Sequence, residues 1–422
     1  MTPTTSSPTA PAGPSLIIDA DSHVTEVPDL WTTRMSKKWG DLVPHTRIDP
    51  ESGRECWFSG DQNFGPIANT AGVRKGPNGE VRHVISRLDD AVGLDDMHPS
   101  AYVAAERIKV MDARGIYAQV LYPNMNFVGK DINQVVADPE FRLENIRAYN
   151  DWLVEWASEA PDRLLPIALL PFFDVTEAAN EVHRVRELGH RGVAMTGKPQ
   201  LHGQPYLADR AWDPLWAAVE ETGMPVNIHI GAGPEGAANL ANFERIAIEG
   251  GMMAAGPRIA TDLFIDNAIS FCDFLNSGVL ARFPGLRLVS VEGGMGWVNF
   301  ILESLDFHFR RFGKVADHPD FEELPSFYFK RQCYVTSWFE KFNLHDYERL
   351  GGNIMFETDY PHTTSLLPEE MAWTLSEGLA ALPAEARNRV LWDNAADLYG
   401  VEHPDQLHPT NQTTAKEPNH AR

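Results

Sequence analysis

The strongest constraint on this chain is a rhythm. Eight short apolar runs recur along it, many of them β-branched, bounded by Gly, Pro or Asp and separated by helix-like stretches. They are Leu16–Asp21, Ala118–Tyr122, Leu165–Leu170, Gly192–Met195, Val226–Ile230, Leu286–Val291, Cys333–Thr336 and Asn353–Glu357. Helical patterns fall between them at Ala104–Arg114, Phe141–Glu159, Thr176–Leu188, Asp209–Thr222, Gly296–Phe309 and Glu369–Leu379. Phe141–Glu159, for instance, carries Ile146, Tyr149, Trp152, Leu153 and Trp156 at helical spacing and stops at Pro161. This alternation predicts an α/β protein of (β/α)8 TIM-barrel type over residues 16–401; an open doubly wound sheet is the alternative.

A parallel barrel carries its chemistry where its strands end. After the first strand stands Asp19-Ala-Asp21-Ser-His23, with Glu26 close behind. Residues two apart on a strand share a face, so Asp19, Asp21 and His23 are expected to point into the barrel mouth. The fifth strand ends in Asn227-Ile-His229, the sixth in Val291-Glu292-Gly-Gly, and the eighth in Glu357-Thr-Asp359-Tyr-Pro-His362. Buried carboxylates in proximity are costly unless a cation compensates them. Imidazoles with carboxylates suit Zn, Mn or Fe(II), and no thiolate is placed to compete. The candidate metal ligands are therefore Asp21, His23, Glu26, His229, Glu292 and Asp359, with Asp359, Glu292 and His362 as candidates for proton transfer. Joined by Asp19 and Glu357, these carboxylates exceed what one divalent ion neutralises, so a second ion is weighed as well.

Glu292 has three readings at this level. It is a general base, a ligand to a second metal, or a carboxylate held by the backbone N–H groups of its glycine turn. Lys198 follows the fourth strand and is a weaker candidate. Arg74, Arg82, Arg87 and Arg107 could clamp a substrate carboxylate, and Trp297 and Trp338 could wall a pocket. Gly231-Ala-Gly233 lacks the context of a dinucleotide site.

Composition narrows the partners. The 422 residues hold 59 Asp+Glu against 36 Lys+Arg, a net charge of −23. Such a surface repels phosphate backbones and anionic lipid, which argues against nucleic acid and membrane partners and for a small-molecule substrate. Three cysteines form no disulfide framework or metal spacing, as expected of a cytoplasmic protein. No run of apolar residues is long enough to span a bilayer. Residues 1–15 and 402–422 read as disordered tails, the first without the features of a signal peptide. Residues 31–100 form a long Gly-, Pro- and charge-rich insertion, expected to cover the mouth, and Gly231–Asp262 reads as a mobile loop. A homodimer is the base-rate assembly, with a paralogous subunit as the alternative.

The D-x-H after strand one, the His after strand five and Thr358-Asp359-Tyr360-Pro361-His362 after strand eight together resemble the amidohydrolase superfamily. Within it they resemble the amidohydrolase family 2 branch, to which aminocarboxymuconate semialdehyde decarboxylase belongs, and Val390–Gly400 looks like that branch's final helix. The resemblance implies a metal-dependent hydrolase-type barrel in which Asp21 and His23 replace the family's metal pair. It makes His229 the third ligand and Asp359 the aspartate that binds metal or its water. The function it implies is a lyase or hydrolase, decarboxylase-like, acting on a small carboxylated or carbonyl-bearing metabolite. Asp359 would move the proton, assisted by Glu292 or His362. The sequence departs from the branch at strand six, where Glu292 replaces a histidine. This acidic variant also resembles a small group of dinuclear Fe/Mn monooxygenases on the same fold, of the 2-aminoisobutyrate hydroxylase and platensimycin-pathway type.

Overall fold

The structure is a computed structural model that describes residues 16–84, 91–124, 136–231, 245–312 and 320–404. All eight expected strands are present in one parallel sheet: β1 (Ile17–Val24), β7 (Ile116–Pro123), β8 (Leu164–Leu169), β9 (Gly192–Ala194), β10 (Val226–His229), β11 (Leu288–Val291), β12 (Cys333–Ser337) and β13 (Ile354–Phe356). They run in sequence order around the sheet, each joined to the next by a helical crossover, as a (β/α)8 barrel requires. Strands buried on both faces read as continuous apolar runs, and β8, all buried as Leu-Leu-Pro-Ile-Ala-Leu, is the plainest case.

The barrel closes through the segment after β13. The Asp359 N–H donates to the Asp21 carbonyl at 3.0 Å, and the His23 N–H donates to the Tyr360 carbonyl at 2.7 Å. Below them Asp19 accepts from the Thr358 backbone N–H at 2.7 Å and from its hydroxyl. The seam of the barrel is therefore made by the strand-end residues that the sequence marks as chemical.

β1 does not keep strict alternation. Its pairing with β7 slips between Asp19 and Ser22, a bulge that re-aims the side chains around it. Asp21 and His23 reach the mouth. Asp19 instead ties the seam, also accepting from Gln119 Nε2 at 2.8 Å. Burial pushes its carboxyl up to about 6 against those hydrogen bonds.

The insertion holds structure of its own, an antiparallel sheet β2 (His45–Ile48), β3 (Glu55–Ser59), β4 (Gln62–Pro66) and a hairpin β5 (Val73–Lys75), β6 (Val81–His83). It leans on the helix Pro139–Ala157, where Trp39 Nε1 donates to Glu144 at 2.6 Å. It also reaches the mouth, for the Gly72 N–H donates to the Pro361 carbonyl. The second insertion differs from expectation. Although Gly and Pro suggest a loop as far as Asp262, a helix runs Met252–Asn276 with Pro257 inside it. Alanines and the apolar stretch beyond Pro257 outweigh the breakers, a tertiary override of local propensity. Both expected tails, save residues 402–404, lie outside the described residues, as do Arg87 and Gly233. Among the described residues no helix is long and apolar enough to cross a membrane.

One buried histidine makes the fold pH-sensitive away from the mouth. His190 is wholly buried, with Nε2 3.0 Å from the Asn150 carbonyl, and burial lowers its pKa to about 4. The unfolded chain takes up that proton near 6.5 and the folded chain does not. Stability should therefore fall as pH drops from 6.5 through 4, by roughly 3 kcal/mol from this group. Urea unfolding at pH 7 and pH 4.5 measures it. His190→Gln should flatten the difference, and an unchanged slope would exonerate His190.

Candidate metal centre

Two imidazoles define the centre. His23 Nδ1 lies 2.9 Å from the Pro123 carbonyl, and His229 Nδ1 lies 2.8 Å from the Ile230 carbonyl. Carbonyls only accept, so each Nδ1 carries the proton and each Nε2 presents a lone pair. Those two Nε2 atoms face one another at 3.2 Å, with the rings edge-on. Burial, and then the neighbouring His362, holds the His23 pKa well below the ordinary range, so the ring is neutral. Two lone pairs aimed at each other repel unless something positive sits between them.

Asp21 sharpens the case. Its Oδ1 lies 3.5 Å from both Nε2 atoms, and both of its buried oxygens lack a hydrogen-bond donor. A buried carboxylate without donors costs several kcal/mol of desolvation unless a cation offsets it. Glu292 Oε2 completes the group at 3.6 Å from His229 Nε2. Asp21, His23, His229 and Glu292 each bring one ligand atom within 4.8 Å of the others. These orphaned acceptors fit a divalent cation. Imidazole and carboxylate suit Zn, Mn or Fe, and the three cysteines are in neither ligand group.

A second group overlaps the first, formed by His23, Glu292, Asp359 and His362. His362 stacks on His23 at 3.8 Å and places Nδ1 2.7 Å from Asp359 Oδ1. Asp359 Oδ2 accepts from the Thr364 hydroxyl, and His362 Nε2 meets Asn124 Oδ1. Burial first, and then like charge, raises Asp21, Glu292 and Glu357 well above the carboxylate range; Asp359 is the neighbour that matters most for Asp21 and Glu292, and Asp21 for Glu357. Glu292 and Asp359 also share a backbone oddity. Among the described residues they are the two that are not glycine yet have positive φ, at 58° and 57°. Such conformations cost about 1–3 kcal/mol and cluster where side chains must be aimed.

Other expected residues are placed differently. Glu26 is buried beside the centre but outside both groups, accepting from the Asn124 N–H at 2.9 Å. Glu357 lies beneath, where its Oε2 accepts from the Glu292 N–H at 3.2 Å. Arg107 does not face a substrate: its guanidinium donates to the His23 carbonyl at 2.6 Å and the Ser100 carbonyl at 2.7 Å, holding the end of β1. Arg74 likewise donates to the Ala68 and Ala71 carbonyls, while Arg82 is exposed. Lys198 pairs with Asp266. Trp338 is buried, and Trp297 donates to the Gly293 carbonyl at 3.1 Å. Two N–H groups of the glycine turn, those of Met295 and Gly296, go to Glu340 rather than to Glu292. Glu340, Asn124 and Thr364 escape the sequence reading, although the first two follow strand ends and were open to the same rule.

Comparison with known proteins agrees with this architecture. γ-Resorcylate decarboxylase of Rhizobium radiobacter is 35% identical over 127 residues, 29% of this chain and 37% of that protein. A 2-keto-4-carboxy-3-hexenedioate hydratase of a Sphingobium species is 25% identical over 222 residues, 51% of this chain and 56% of that one. The chain thus spans about a third to a half of the length of these relatives. Among solved structures, an amidohydrolase from Mycobacterium avium subsp. paratuberculosis superposes with a TM-score of 0.71 at 24% identity, covering 92% of this chain and all of that one. The dihydroxybenzoic acid decarboxylase of a Polaromonas species, with bound manganese and the inhibitor 2-nitroresorcinol, gives 0.56 at 23% identity over 74% of this chain and 90% of its own. These structures share the fold. The sequence profile of the amidohydrolase family known as Amidohydro_2 matches residues 18–401, almost the whole described barrel, and the chain belongs to that family.

Proposed function

We propose that this chain is a metal-dependent carboxy-lyase that removes carbon dioxide from a small, hydroxylated aromatic carboxylate. The observation that carries the reading is the pair of Nε2 lone pairs 3.2 Å apart over the donorless Asp21 carboxylate. The decarboxylase relatives support the substrate class. Asp21, His23 and His229 would hold the ion, with Asp359 or Glu292 beside them. A divalent ion there supplies a Lewis acid that polarises a substrate oxygen.

The side chains divide the remaining work by exposure. Asp21 and Asp359 are wholly enclosed, whereas the side chains of Glu292 and His362 are 9% and 13% exposed. A substrate ring entering the mouth therefore meets Glu292 and His362 first. Asp359, held between His362 and Thr364, is fixed in place rather than free to swing. Burial favours the protonated form of Glu292, whose Oε2 lies 3.6 Å from His229 Nε2. Glu292 would pass its proton to the ring carbon that bears the carboxylate. The carbon–carbon bond then breaks, its electron pair restores the aromatic ring, and carbon dioxide leaves. Glu292 regains a proton from solvent through its exposed edge.

Protein loaded with Mn²⁺ should release carbon dioxide from one or more of a panel of hydroxybenzoates and carboxyvanillate-type acids, and a chelator should abolish it. Loaded protein inert to the whole panel would sink the proposal. The second ligand group, which shares His23 and Glu292 with the first, leaves room for a second ion, as a dinuclear oxygenase would require. Two tightly held ions per chain, one or both iron, would favour it.

A further inference from the structure

Glu292 reaches the centre from a turn that has little to hold it. The turn links β11 to the helix Val298–Phe312 through Gly293, Gly294 and Gly296. Three glycines in five residues leave the backbone many alternatives, yet Glu292 is set in a left-handed conformation that few L residues adopt unaided. Something outside the turn must choose that state.

Glu340 is placed to do so. It stands three residues past the end of β12. Its Oε1 accepts from the Met295 N–H at 2.7 Å and from the Gly296 N–H at 2.8 Å. Its Oε2 accepts from the Ser337 hydroxyl at 2.6 Å, which fixes the carboxylate plane. The two N–H groups lie just before the first turn of Val298–Phe312, where donors lack partners and the helix end carries partial positive charge. A carboxylate supplied from the next loop satisfies both. The approach is close: a Cβ on Gly294, which has φ +67°, would lie 3.1 Å from Oε1. At its other end the turn is held by Asn267, whose Nδ2 donates to Ser290 Oγ at 2.9 Å, and the Glu292 N–H donates to Thr336 Oγ1 at 2.9 Å. The Glu292 N–H is shared with Glu357 Oε2 at 3.2 Å, so two carboxyl groups hold the turn; Glu340 is the one that grips its far end, and it touches neither ligand group.

We infer that Glu340 is a positioning residue that clamps the turn after β11 and so aims Glu292 at the centre. The inference rests on the role proposed above for Glu292. It predicts how two substitutions combine. Glu340→Ala should lower kcat by roughly 10²-fold, the cost of an ångström-scale misplacement, with KM and metal content near wild type. In a Glu292→Gln background the same substitution should cost nothing more, since the group it aims is already gone. Glu340→Gln keeps an oxygen for both N–H groups and should recover most of the lost turnover. Losses that multiply in the double variant, or a lower melting temperature with kcat intact, would overturn the inference and leave Glu340 as a helix cap alone.

Should the wild-type chain decarboxylate none of the panel, the proposed function fails by itself, and Mn²⁺ titration still judges the clamp. Glu340→Ala must then weaken Mn²⁺ binding as Glu292→Gln does, with no further weakening in the double variant. Independent shifts, or wild-type affinity in Glu340→Ala where Glu292→Gln is weakened, would reject it.

Discussion

Glu292→Gln should lower turnover by roughly 10²–10⁴-fold, the usual worth of general acid–base catalysis, while metal content at saturation stays at the wild-type value. The amide keeps the shape of the side chain and can still sit beside His229 Nε2, 3.6 Å away, but it cannot carry the proton. The pH profile should change with it. Burial and then Asp359 raise the Glu292 pKa well above the carboxylate range, so its protonated form persists toward higher pH. A bound cation opposes that shift, and the alkaline limb of kcat/KM marks the balance between the two. Activity that needs the protonated acid is present below that limb and lost as pH climbs through it, and the Gln variant should lack the limb. Metal analysis and kinetics on one preparation settle the matter. Loss of one ion of two would make Glu292 a ligand, and full activity with full metal would strip it of both roles.

His229→Ala should remove most of the bound metal. Partners that only support a ligand already cost roughly 10–100-fold in affinity when lost, and a ligand itself should cost more. Without it, Asp21 and Glu292 face one another with one imidazole fewer between them. The fold should survive, since the His229 Nδ1 bond at 2.8 Å goes to the carbonyl of Ile230, the next residue in the chain, and does not join distant elements. Thermal unfolding with and without Mn²⁺ supplies a second readout. A metal at 100 times its Kd stabilises the native state by about 2.7 kcal/mol, and the variant should lose that increment. Wild-type metal content in the purified variant would return His229 to the status of a core histidine.

The barrel and most of its centre were legible because two signals coincide. Apolar strands announce themselves, and although one polar residue closing a strand, as His229 closes Val-Asn-Ile-His, is commonly a core histidine, such residues at four strand ends together point to chemistry. What stayed hidden depends on backbone geometry. The bulge that sends Asp19 into the barrel seam while Asp21 reaches the mouth leaves no mark in Ile-Ile-Asp-Ala-Asp. Arg107 reads as a substrate clamp from its composition alone, and only the fold shows its donors spent on the carbonyls of His23 and Ser100. The insertion's strands are three to five residues long, too short for periodicity to resolve. Glu340 also follows a strand end, three residues on, but two of its three donors are backbone N–H groups, which no side-chain pattern encodes.

The contact between Gly72 and Pro361 reaches beyond architecture. A Cβ at Gly72 would lie 2.6 Å from the His362 carbonyl oxygen and 2.6 Å from Thr363 Cα, so the insertion rests directly against the loop that carries Asp359 and His362. Such an insertion is commonly treated as an interchangeable lid, free to diversify for new substrates while the chemistry beneath stays constant. Here the two are not separable modules. Exchanging residues 31–100 for those of a relative should also re-seat the loop that holds Asp359, so a swap meant to change selectivity should change turnover with it.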